Sequence, residues 1–178
     1  MSMTCGIEAW LYHSLDRDTK LRSSSGGAFY ELAKNALAEG YFLCGCVWDN
    51  NLVARHIVSR DINDLQRMQG SKYVQSCTGE AQRELIRLLK SGKKVLFSGT
   101  PCQVIAASKI ASILNKRDNL LSIAVICHGV PSPLSWESYK IWLNSRECEV
   151  LTDVNFRDKS MSGYKNRMCA THSNLEKG

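Results

Sequence analysis

The sequence predicts an α/β fold, a mostly parallel sheet with helices on both faces, together with an N-terminal hairpin region. Three observations carry this prediction. Two short runs, "KKVLFSG" at 93–99 and "LLSIAVICHG" at 120–129, are apolar on successive residues, so each strand needs cover on both faces. Between and around them, apolar residues recur at three and four, the spacing of amphipathic helices. Strands that alternate with helices pair in parallel, because a helical crossover returns the chain to the end where the previous strand began.

Taken in order, "SSSGGAFYELAKNALAEGY" at 23–41 reads as turn, helix and stop. Phe29, Leu32, Ala33, Ala36 and Leu37 share one face, Ser24 or Ser25 caps the start, and Gly40 ends the helix. "YFLCGCVWD" and "LVARHIVS" flank Asn50-Asn51 as a hairpin. The polar stretch "RDINDLQRMQGSKYVQS" at 60–76 begins as a short helix. "GEAQRELIRLLKSG" at 79–92 is an amphipathic helix and leads into the first buried strand. "PCQVIAASKIASILN" at 101–115 is a second helix, leading into the second strand. The strands near 94–98 and 120–126 are therefore expected as parallel neighbours joined by a helix over about 102–115. "SPLSWESYKIWLNS" at 132–145 is a third helix with Leu134, Tyr139, Trp142 and Leu143 inward. "EVLTDVNFRD" at 149–158 is a further strand, and the polar, aperiodic residues 165–178 read as a frayed or truncated tail. No internal repeat interrupts this order. The 178 residues fit a single α/β domain with a core of its own.

Composition narrows the function. No apolar run approaches the roughly 20 residues that cross a bilayer. The first residues lack a basic segment followed by an apolar one, so no signal peptide is read and the protein is expected in the cytoplasm, off the membrane. The 23 basic and 17 acidic residues leave a formal charge of +6, but the basic residues are scattered. That pattern gives no nucleic-acid stripe and suits an anionic small ligand or an ordinary solvated surface. Eight cysteines occur without a C-x-x-C pair, against both a disulfide framework and a close-pair zinc or ferredoxin site. Several of them, Cys5, Cys148 and Cys169 above all, read as small buried residues.

In an open parallel sheet, ligands bind beyond the carboxyl ends of the strands. "SGTPCQ" at 98–103 and "CHGVPSP" at 127–133 fall there. Pro101 suits a first helical turn, and Cys102 beside it stands where free helix N–H groups favour a thiolate. "CHGVPSP" joins a thiol and an imidazole, Cys127 and His128, but lacks the arginine of a phosphatase loop. "SSSGG" at 23–27 precedes a helix whose first N–H groups have no partner within the helix, a place where phosphate can approach. It has neither the lysine of a P-loop nor the dinucleotide spacing. "GSKYV" at 70–74 adds Lys72 and Tyr73. These four segments are expected to form one ligand face, with Cys102 and Cys127 on the same crevice. His13, His56 and His172 are isolated and are assigned no role.

The order and spacing of "SSSGGAFYELAKNALAEGY", "MQGSKYVQS", "KVLFSGTPCQVIA", "ICHGVPSP" and "VNFRDKSMSGY" resemble the coenzyme F420 hydrogenase/dehydrogenase beta-subunit family, over about 22–164. The resemblance implies a flavin and iron–sulfur oxidoreductase that binds FAD and passes electrons to or from a [4Fe–4S] cluster. In some members a hydride moves between coenzyme F420, a deazaflavin, and the flavin. It also implies a ferredoxin-like or hydrogenase/dehydrogenase subunit as partner. Carried over by motif, Ser24, Ser25, Gly26, Gly27, Ser71, Lys72, Tyr73, Gly99 and Thr100 would lie by FAD. Lys72 would face the part of the ring that becomes anionic on reduction. Cys102 and Cys127 would be cluster ligands or thiols close to the flavin. The chain departs from the family in lacking a C-x-x-C-x-x-C segment, and it ends soon after "FRDK", so it reads as the N-terminal part of a longer flavoprotein. Two other readings stay open: an enzyme with Cys102 as nucleophile and His128 as its base, and a non-catalytic docking module of the same fold.

Overall fold

The computed structural model describes residues 8–147, 150–159 and 167–173. Its centre is a four-stranded sheet with strands β1 (Phe42–Trp48), β2 (Ala54–Ser59), β3 (Val95–Gly99) and β4 (Leu120–Ala124) in the spatial order β2-β1-β3-β4. β1 and β2 form the antiparallel hairpin, while β3 runs parallel to β1 and β4 parallel to β3. The two strands expected as parallel neighbours are paired from Val95↔Leu120 to Gly99↔Ala124. The hairpin turn is held by Asp49, whose carboxylate accepts from the amides of Asn51 and Val53, both at 2.9 Å, and from Arg55 Nε at 2.7 Å.

Side-chain alternation along the strands divides the core between two helical layers. Cys44, Val95 and Phe97 point to α4 (Gly79–Lys90) and α5 (Pro101–Ile113), meeting Leu85, Leu88, Leu89, Ala107 and Ala111. The neighbouring residues Leu43 and Leu96 point the other way, with Val47, to α2 (Ala28–Ala38) and α3 (Ile62–Met68). There they meet Ala33, Ala36, Leu65 and Met68. Gly45 permits the close approach of α3, because a Cβ at that position would fall 2.7 Å from Met68 Sδ. Of the residues expected on the inner face of α2, Leu32 instead points to solvent, since the helix meets the sheet through its alanines.

Two expected elements take other places. β4 is not enclosed: it is the edge of the sheet, and Leu121 is 46% exposed. The final helix, α6 (Pro133–Glu147), turns a different face inward, with Leu134, Tyr139 and Trp142 outward and Trp136 and Leu143 inward. The reason is its partner. α6 packs on the hairpin end of β1 and β2 and on a second, antiparallel sheet of β5 (Val150–Asp158) and β6 (Arg167–Ser173). Trp136 stacks on Trp48 with ring centroids 5.5 Å apart and donates its Nε1–H to the Leu52 carbonyl at 2.7 Å. Lys140 Nζ donates to the Asn51 carbonyl at 2.7 Å. The tail expected to be frayed over 165–178 contains β6, which pairs antiparallel with β5. A six-residue helix, α1 (Arg17–Arg22), is capped by Asp16, which accepts from the Thr19 amide at 2.9 Å.

Candidate functional site

A cavity of about 310 Å³ opens beyond the carboxyl ends of β1, β3 and β4. The loop before α2 forms one wall, the strap 69–72 after α3 a second, and the end of β3 the floor. Ser24, Ser25, Gly26, Gly27, Ser71, Lys72, Gly99 and Thr100 all line it, so segments remote in sequence meet in one place.

The serine–glycine loop is fixed from several sides. The Ser14 amide donates to the Gly26 carbonyl at 2.7 Å, the Ser71 amide to Ser24 Oγ at 2.6 Å, and Gln69 Nε2 to Ser23 Oγ at 3.3 Å. Lys159 Nζ donates to the carbonyls of Ser23 at 2.6 Å, Ser25 at 2.7 Å and Lys20 at 3.1 Å. A Cβ on Gly26 would overlap the Tyr12 carbonyl oxygen. The helix cap differs from the expected serine. Ser24 bonds to the strap instead, and Gly27 takes the N-cap position in the left-handed region at φ 92°, with no side-chain cap. The first amides of α2 are thus left for whatever enters the cavity.

Lys72 crosses the strap and donates to the carbonyls of Arg67 at 2.7 Å and Gln69 at 2.8 Å. Burial is the main influence on its ammonium and brings its pKa down to about 8, against smaller upward pulls from Cys46 and Asp153. Burial also pushes the Cys46 thiol up. The cavity therefore holds a cation that titrates close to neutrality.

The floor is a chain of hydrogen bonds. His56 is buried, stacked on Phe97 with ring centroids 5.5 Å apart, and it bridges Ser98 O at 3.0 Å and Ser76 Oγ at 3.1 Å. The Ser98 carbonyl can only accept, so Nε2 carries the proton and Nδ1 accepts from the Ser76 hydroxyl. Ser76 Oγ in turn accepts from Gln103 Nε2 at 2.8 Å, and Gln103 Oε1 accepts from the Thr100 amide at 3.0 Å. Burial holds the His56 pKa below its ordinary value, which keeps this tautomer neutral. His56, Ser76 and Gln103 were absent from the candidates drawn from sequence. The spacing Thr100-Pro101-Cys102-Gln103 carried a signal for one of them, since Thr followed by Gln at the third position is a capping box.

Tyr73, Cys102, Cys127 and His128 do not line the cavity. Tyr73 points the other way, edge-on to Phe156, and its hydroxyl accepts from Arg157 Nη1 at 3.4 Å. Cys102 is exposed, and its Sγ lies 3.1 Å from Thr100 Oγ1 rather than against an imidazole. The exposed Cys127 accepts from the Gly129 amide at 3.4 Å. Among the described residues no three His, Cys, Asp or Glu side chains gather as a metal site, so they do not fit a cluster that takes four ligands. A second cavity, of about 280 Å³, lies behind the strap and shares Gln69, Gly70, Ser71 and Lys72 with the first. Arg22, Arg67 and Asp153 contribute to its other walls.

No curated protein matches the chain in sequence. Residues 92–176 match a family model that describes the C terminus of the coenzyme F420 hydrogenase/dehydrogenase beta subunit. The chain is also similar to a solved structure, a chain of the F420-reducing [NiFe] hydrogenase complex from Methanosarcina barkeri studied with xenon. The two share 18% identity and a TM-score of 0.58, over 90% of this chain and 58% of that one. At this identity the likeness is one of fold, and this chain spans little more than half the length of its neighbour. Among the described residues no helix is long and apolar enough to cross a membrane. Over residues 92–176 the chain is thus similar to the coenzyme F420 hydrogenase/dehydrogenase beta-subunit family, and its fold is similar to that of the hydrogenase-complex chain.

Proposed function

We propose that the chain is a flavin-binding redox subunit that seats FAD in the cavity beyond β1, β3 and β4. One observation carries the reading: an uncapped helix start, a glycine–serine loop, a half-buried lysine and the turn after β3 converge on a single cleft. FAD has an anionic pyrophosphate and a flat ring. The free amides at the start of α2 suit the pyrophosphate. Phe29, Met68, Val74, Val125 and Val130 give the same cleft apolar walls for a ring. Sites for small molecules run to roughly 300–1,000 Å³, so a cavity of about 310 Å³ takes one end of a dinucleotide and leaves the rest along its open side.

FAD, when bound, supplies hydride and electron transfer; the protein supplies binding, orientation and charge. Lys72 would offer its ammonium to negative charge on the ring or the phosphates. Neutral His56 holds Ser98 and, through Ser76 and Gln103, the Thr100 turn, so the floor keeps its shape without adding charge. A reduced coenzyme such as F420 and a ferredoxin-like or hydrogenase subunit are the partners that the family suggests for such a chain.

Titration of the purified chain with FAD, followed by quenching of flavin fluorescence, tests the reading. We expect saturation at one FAD per chain, competition by inorganic pyrophosphate and weaker binding in Lys72→Met. A folded protein that neither quenches nor retains flavin would overturn it.

A further inference from the structure

We propose that Lys159 is a positioning residue that sets the serine–glycine loop in its anion-accepting conformation, an inference that rests on the reading of that loop as the FAD phosphate cradle. Lys159 follows β5 and lies more than 130 positions along the chain from the loop it holds. It is only 9% exposed, an unusual place for an ammonium, and its partners explain it. Nζ reaches the carbonyls of Ser23, Ser25 and Lys20, and an ammonium has three donors to give.

The consequence follows from the geometry of the peptide unit. In a trans peptide the C=O and the next N–H point in opposite directions. Drawing the Ser23 and Ser25 carbonyls to Nζ therefore turns the amides of Ser24 and Gly26 away from the lysine. The Ser14 amide holds the Gly26 carbonyl in the same way, which turns the Gly27 amide. Ser24, Gly26 and Gly27 all line the cavity. Lys159 thus acts twice: it orients peptide dipoles, and it sets a buried positive charge behind them. Neither effect needs contact with the ligand. An arginine does not replace it, because a planar fork cannot converge on three carbonyls as a compact ammonium does.

The test combines binding with backbone exchange in the full chain. In wild type, inorganic pyrophosphate should slow hydrogen exchange at the Ser24 and Gly26 amides. Lys159→Met should speed exchange at those amides without ligand and raise the Kd for FAD about tenfold or more, the scale of losing a hydrogen bond to a charged group. Lys159→Gln, which keeps donors but no charge, should do the same, and Lys159→Arg should not restore wild-type behaviour. FAD binding with wild-type exchange and affinity in the Met and Gln variants would overturn the proposal. So would FAD binding to wild type with no protection at Ser24 and Gly26, a measurement that needs no variant. If wild type binds neither FAD nor pyrophosphate, the flavin reading fails on its own. Faster exchange in the Met variant would then still show that Lys159 positions the loop.

Discussion

His56 Nε2 lies 3.0 Å from the carbonyl oxygen of Ser98, and this bond ties β2, across β1, to the end of β3. It links the hairpin to the strand end that forms the cavity floor. The imidazole works there because it is neutral: it donates on one side and accepts on the other.

Protonation would cost that arrangement its acceptor. With the folded-state pKa held below the ordinary 6.5, the unfolded chain takes up the proton first as pH falls. The contribution of His56 to stability is therefore complete above pH 6.5 and declines below it, down to the folded-state pKa. His56→Phe keeps the stack on Phe97 but removes both hydrogen bonds. It should cost about 1–3 kcal/mol at neutral pH, the range for orphaned buried polar groups, and lose this part of the acid slope. Urea denaturation at pH 5, 6 and 7.5 measures both. An unchanged slope would place the titration elsewhere.

Lys72 gives the opposite pairing of effects. Its pKa of about 8 lies below the ordinary 10.5, so between those values the unfolded chain binds the proton that the folded chain has lost. Folding is therefore favoured by rising pH through that window. Binding of an anionic flavin should weaken over the same rise, because the ammonium is discharged. Flavin titrations and thermal melts from pH 7 to 10 should show the two trends crossing, and Lys72→Met should flatten both.

Gly26 tests the fit of the N-terminal segment against the loop. Alanine there would drive its Cβ into the Tyr12 carbonyl, a backbone atom that cannot rotate aside. Overpacking of this kind costs about 1–3 kcal/mol. Gly26→Ala should melt several degrees lower and bind FAD more weakly, whereas Gly79→Ala, which meets open space, should do neither.

The thiols divide by exposure. Cys102 and Cys127 are open to solvent, whereas Cys44 is buried and its thiol is pushed up to about 12. Iodoacetamide at pH 8, followed by peptide mass mapping, should label the first two within minutes and spare Cys44 until the protein is denatured. Labelling of native Cys44 at the rate of Cys102 would mean that the layer between the sheet and α4 and α5 opens readily.

Much of the parallel sheet was legible in the sequence because burial on both faces leaves a local mark: three unbroken apolar residues in Val95, Leu96 and Phe97, and turn residues at each end. The inner face of α6 was not, because its partners are remote in sequence: the β1–β2 turn more than 80 positions earlier and a second sheet that comes later in the chain. Trp136, the buried residue, was passed over for Leu134 and Trp142, which share its helix but face water. The site segments were visible as glycine and serine clusters and one lysine. His56 and Lys159 were not, since their meaning lies in carbonyls 42 and more than 130 positions away. A lone histidine in a strand and a lysine after one carry no sign of such partners.

The strap 69–72 has a cavity on each side, and its four residues belong to both walls. A partition this thin cannot move for one occupant alone. Whatever displaces it from the front reshapes the space behind, so two molecules bound on opposite sides would sense each other through a few shared atoms. Linkage makes such an influence mutual: the factor by which the first alters the hold on the second equals the factor in return. Lys72, which closes the strap back onto the carbonyls of Arg67 and Gln69 at the end of α3, would set how stiff that partition is.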